Sequence, residues 1–109
     1  MQTLFGRLPV LLRAPINFSG SGDNTIVAAD TNGNRIVVQR LWLVCAGATN
    51  LTFKDNLSSP AAIPMGANGG LTFDATGEPW FITDPNTAFI INSDSSVQVS
   101  GEIYYSLAK

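Results

Sequence analysis

Apolar and polar side chains alternate along most of this chain in short runs, with Gly, Asn, Asp, Ser and Pro gathered between them. A period of two is what a half-buried strand requires, and turn formers at regular intervals imply a sandwich or barrel. The pattern predicts a first strand over Asn24 to Ala29. A reversal through Asp30-Thr31-Asn32-Gly33-Asn34 follows, where Asn and Gly accept the positive φ of a tight turn. A long strand then runs from Ile36 to Cys45, with Val38, Arg40, Trp42 and Val44 on one face and Leu41, Leu43 and Cys45 on the other. Its second half is apolar on both faces, so it is expected to be covered on both, in the middle of a sandwich or of an assembly.

Further strands are predicted over Asn50 to Asp55, Ala61 to Met65, Leu71 to Asp74, Ala88 to Asn92 and Val97 to Leu107. Leu51 and Phe53 point inward, with Thr52 and Lys54 outward. Pro64 marks an edge strand, since it has no N–H to give a ladder. In the last strand Val97, Val99, Ile103, Tyr105 and Leu107 face one way, and Gln98, Ser100, Glu102 and Tyr104 the other. No segment holds a 3.6-residue period, so no long helix is predicted. The expected fold is all-β: a two-sheet jelly-roll sandwich of about eight short antiparallel strands.

Residues 1–14 stand apart. Leu4, Phe5, Leu8, Val10, Leu11 and Leu12 fit neither period, and Pro9 and Pro15 restrict helix and central strand alike. They read as an extended apolar arm on a domain spanning 15–109, with its leucines destined for a neighbouring subunit. The run Val10 to Leu12 is far shorter than the roughly 20 residues that span a bilayer. It lacks the cleavage site of a signal peptide.

Composition sharpens this picture. Hydrophobic residues form 45% of the 109 and charged residues only 13%, against about 25% in ordinary soluble domains. Either Asn, Ser and Thr dress the surface, or neighbours cover it. Net charge is −2 and the six basic residues are scattered, which excludes the cation cluster that nucleic acid demands. The single Cys45 excludes an intrachain disulfide framework and suits a reducing compartment.

Candidate chemistry is sparse. With no histidine, the usual general base, nucleophile triads and commonest metal ligand are all missing. Cys45 lies on an apolar strand with no cation to activate it. Asp74 and Glu78 form a carboxylate pair of the kind glycosidases use, but in sequence no other polar group converges on them. The Asp30 turn begins like a calcium loop, yet its glycine comes too early and the bidentate acid is absent. Neither Gly20/Gly22 nor Gly69/Gly70 opens a helix, so neither cradles phosphate. Trp80 beside Phe81 reads as core or interface packing, with a sugar-stacking platform as the alternative. The expected protein is non-enzymatic and without cofactor or metal.

Several stretches resemble small structural proteins of tailed bacteriophages: Asn17-Phe18-Ser19 through Asp23-Asn24-Thr25-Ile26-Val27, Asn50-Leu51-Thr52-Phe53-Lys54-Asp55, and Pro64-Met65-Gly66-Ala67-Asn68-Gly69-Gly70-Leu71. The Trp80-Phe81 segment and Val97-Gln98-Val99-Ser100-Gly101 extend the likeness across most of 15–107. The resemblance implies a jelly-roll protein of the mature virion, made in the host cytoplasm: a capsid decoration (cement) protein sitting as homotrimers on the shell. Its partners would be copies of itself and the major capsid protein or another virion protein, with neither nucleic acid nor membrane. Leu4, Phe5, Arg7, Leu8, Val10, Leu11, Leu12, Arg13, Trp42, Trp80 and Phe81 are the expected interface residues. A carbohydrate-binding or adaptor module of a tail fibre or baseplate is the alternative, with Trp80, Tyr104, Tyr105 and the Asn-rich turns as its site.

Overall fold

The strand at the centre of the molecule, β3 (Arg35–Cys45), takes β9 (Val99–Ala108) along its whole length as an antiparallel neighbour. The computed structural model describes residues 11–55, 62–74 and 81–109. The other strands are β1 (Leu12–Phe18), β2 (Gly22–Val27), β4 (Thr49–Lys54), β5 (Ile63–Met65), β6 (Gly70–Asp74), β7 (Phe81–Ile82) and β8 (Phe89–Ser93). Among the described residues there is no helix. All pairing is antiparallel, in two sheets ordered β1-β9-β3-β6 and β2-β8-β4-β5. β7 also pairs with β3, at Val37 and Val38, in line with β6 at Arg40 to Val44. The two act as successive pieces of one edge strand. The pairs are nested: β1 with β9, β2 with β8, β3 with β6 and β7, β4 with β5.

A single hydrophobic cluster joins the sheets in a β-sandwich-like arrangement. Ile16, Ile36, Val38, Leu41, Leu43, Val99 and Ile103 enter it from the first sheet, and Val27, Leu51, Phe53, Phe89 and Ile91 from the second. Phe89 lies under both Phe53, stacked at 6.4 Å, and Phe81, edge-on at 5.5 Å. Beyond β7 and β4, the buried carboxylate of Asp55 accepts the Asp84 backbone N–H at 2.8 Å. That bond ties the ends of the two sheets with a satisfied polar group.

The long strand departs from strict alternation. The register with β9 shifts between Val38 and Arg40, so that Gln39 is an extra residue. A bulge of this kind reverses the parity of everything beyond it. Val38 therefore joins Ile36, Leu41, Leu43 and Cys45 in the core, where unbroken alternation had put it with Arg40 and Trp42. Within this single chain, only one face of the second half of β3 is covered. Trp42 and Val44, each 45% exposed, stand on an open outer face.

The predicted arm also needs correction at its C-terminal end. Leu12, Arg13 and Ala14 belong to β1 and pair with Tyr105, Tyr104 and Ile103 of this domain's own sheet. Pro15 is accommodated because β1 is an edge strand, with its free side away from β9. Pro64 sits likewise in edge strand β5. β4, β6 and β8 appear within a residue or so of their predicted spans, and β9 starts two residues late.

Candidate interaction surface

The outer face of the first sheet is built by register. Arg13 of β1 stands opposite Tyr104 of β9, which stands opposite Arg40 of β3, which stands opposite Asp74 of β6. The next row is Pro15, Glu102, Trp42 and Thr72, and the third is Asn17, Ser100, Val44 and Gly70. The polar members hold one another in place. The Arg40 guanidinium meets Asp74 Oδ2 at 3.2 Å and lies 5.6 Å from the Tyr104 ring centre. Arg13 lies 6.0 Å from the same ring. The Tyr104 hydroxyl donates to Glu102 Oε1 at 2.9 Å, and Arg13 reaches Glu102 Oε2 at 4.0 Å. Its hydrogen bond with Tyr104, and next the charge of Glu102, raise Arg13 above its ordinary value. Both arginines thus flank one aromatic ring, an attractive arrangement. An open groove of about 230 Å³ is lined by Arg40, Trp42, Thr72, Asp74 and Tyr104, with Leu41 and Phe73 at its floor positions.

A second feature lies at one end of that sheet. Of the six exposed large apolar side chains among the described residues, Leu11, Leu12, Ile82 and Leu107 lie at that end, on its two faces. Leu12 pairs with Tyr105 and Leu107 with Ile36. Ile82 pairs with Val37, which alternates with the core-facing Ile36 and Val38, so Ile82 stands on the opposite face of the sheet. Leu12 and Leu107 are 40% and 42% exposed. By strand parity both lie on the core face, beyond the point where the second sheet covers it.

The expected interface residues divide accordingly. Leu11 and Leu12 belong to the apolar end, and Arg13 and Trp42 to the outer face. Phe81 turns inward against Phe89 and packs on the core. Leu4, Phe5, Arg7, Leu8, Val10 and Trp80 lie outside the described residues, as does Glu78. Its proposed companion Asp74 is engaged by Arg40. Cys45 is fully buried, and burial pushes its thiol pKa up, the opposite of what a nucleophile needs. Asp30 spends its carboxylate on its own turn, accepting the Asn32 N–H at 3.0 Å and the Asn34 amide at 2.7 Å. Those bonds hold its pKa below the usual carboxylate value. Gly33 supplies a positive φ of 83° there, but the turn is not the hairpin that the sequence suggests: it carries the chain from β2 in one sheet to β3 in the other. Among the described residues, no three of His, Cys, Asp and Glu converge to hold a metal.

The groove was not legible from sequence, because it exists only through the pairing of β9, β3 and β6. The one available signal was the unusual content of the outward positions, where Arg40, Trp42 and Tyr104 replace small polar residues. Comparison with protein-family models, curated proteins and solved structures finds no match for this chain.

Proposed function

We propose that this protein is a non-enzymatic assembly subunit, a jelly-roll structural protein of a virion that associates with copies of itself. The observation that carries the reading is the apolar end of the first sheet, where Leu12 and Leu107 stand exposed on the core face beyond the cover of the second sheet. Such a patch is characteristic of an interaction surface. In sequence, Leu4, Phe5, Leu8 and Val10 directly precede Leu11 and Leu12, which suits an apolar contact with a neighbour. The low charge content suits a surface partly covered by neighbours.

The nested strand pairing supports the jelly-roll reading. With β6 and β7 taken as one strand, the chain is a long antiparallel hairpin rolled up so that first pairs with last, second with second-last, and so on inward, as two Greek keys require. The resemblance to phage structural proteins supplies the setting: a decoration protein of the capsid, a trimer about a three-fold axis, bound to the major capsid protein or a virion neighbour.

Replacing Leu12 and Leu107 together by Asp tests the contact. Both are substantially exposed, so the variant is expected to keep its β-type far-UV spectrum and lose its partner copies. An unchanged oligomeric mass would show that this end is not the interface.

A further inference from the structure

We propose that the groove beside Trp42 binds a neutral saccharide, one sugar ring resting against the indole while its hydroxyls engage Arg40, Asp74 and Thr72. This goes beyond the assembly reading and uses a different part of the sheet. The argument begins from exposure. Trp42 leaves 45% of its surface in water in the middle of a sheet face, a costly place for a large apolar ring unless a ligand covers it. It does not stand alone, because a groove of about 230 Å³ opens beside it, with polar groups converging on one side. An apolar wall with a few placed polar groups is the general form of a small-molecule site.

The polar groups specify the class. Arg40 offers only donors and Asp74 only acceptors, while Thr72 and Tyr104 hydroxyls do both. Adjacent sugar hydroxyls each donate and accept, so a donor group beside an acceptor group matches them in a way that a carboxylate or an amine does not. The pair is also electrically balanced. Arg40 and Asp74 are 3.2 Å apart and cancel each other, which disfavours a phosphate or an acidic sugar. The axial C–H groups of a pyranose supply the weakly positive face that the negative face of an indole attracts. The groove is pre-organised as well, since Arg40 is held by Asp74 on one side and lies against the Tyr104 ring on the other. Little ordering is then left to oppose binding.

The test is a chemical-shift titration of the ¹⁵N-labelled full-length protein with neutral disaccharides of glucose, galactose, mannose and N-acetylglucosamine. At least one is expected to move the Trp42 indole N–H resonance in a saturable way. Trp42→Ala should weaken that binding by about tenfold or more, and Asp74→Ala should weaken it as well, while both keep the wild-type far-UV spectrum. Val44→Ala, on the same face outside the groove, should bind normally. The proposal is overturned if no sugar in the set shifts the Trp42 resonance, or if Trp42→Ala binds as well as wild type. It is also overturned if Trp42→Ala changes the oligomeric mass, because the face would then be a contact between copies. Loss of assembly in the Leu12/Leu107 variant with sugar binding intact would separate the two readings.

Discussion

Ile36 and Thr83 exchange two hydrogen bonds across the edge of the first sheet. The Thr83 N–H donates to the Ile36 carbonyl at 3.0 Å, and the Ile36 N–H donates to Thr83 Oγ1 at 2.9 Å. A side-chain oxygen thus completes a backbone ladder just where β7 ends, and both residues are fully buried. Thr83→Val keeps the shape but leaves the Ile36 N–H without its acceptor. The expected cost is about 1–3 kcal/mol, read as a lower midpoint in urea, with Thr83→Ser closer to wild type. Equal stability of Thr83→Val and wild type would contradict this role.

Gly101 lies where β9 presses closest to β3. A Cβ there would come within 2.7 Å of the Leu43 Cα and would collide with the Trp42 carbonyl, backbone atoms that cannot turn aside. Gly101→Ala is expected to destabilise by about 1–3 kcal/mol through overpacking. Gly20→Ala, where an added Cβ meets nothing within 4 Å, is the control for the loss of a glycine. Thermal melts of the two variants check the difference.

How far the sequence reaches is clear from particular strands. In β4 the alternation of Leu51 and Phe53 with Thr52 and Lys54 predicts the buried and outward positions directly, because nothing interrupts the period. In β3 the same rule misplaces Val38, since the bulge at Gln39 leaves no mark in composition. β1 was hidden behind Pro15, which excludes a central strand but not an edge. β7 is two residues long and has no period to show. The apolar end was half visible, in Leu11 and Leu12. Its other half, Ile82 and Leu107, comes from strands remote in sequence, as does the Arg40–Asp74–Tyr104 groove.

Acid should weaken the fold partly through Asp94. Its carboxylate accepts the Asn50 N–H at 2.9 Å, the Asn50 amide at 2.7 Å and the Thr49 hydroxyl at 3.0 Å. These bonds, the Asn50 backbone first, lower its pKa from 3.8 to about 2. A group with a depressed folded pKa contributes its stability above the unfolded value and loses it as pH falls through the folded one. Between 3.8 and about 2 the wild-type melting temperature should therefore drop. Asp94→Asn should show a shallower drop over that window. Asp23, held low by Asn92 and then Lys54, keeps some slope in the variant. Parallel pH profiles for the two proteins would contradict the assignment.

The central claim is association, and the mass of the particle in solution tests it most directly. Size-exclusion chromatography with light scattering of the full-length chain at micromolar concentration is predicted to give a homo-oligomer, three times the 11.6 kDa of one chain. A single species at the mass of one chain, unchanged on concentrating, would contradict it.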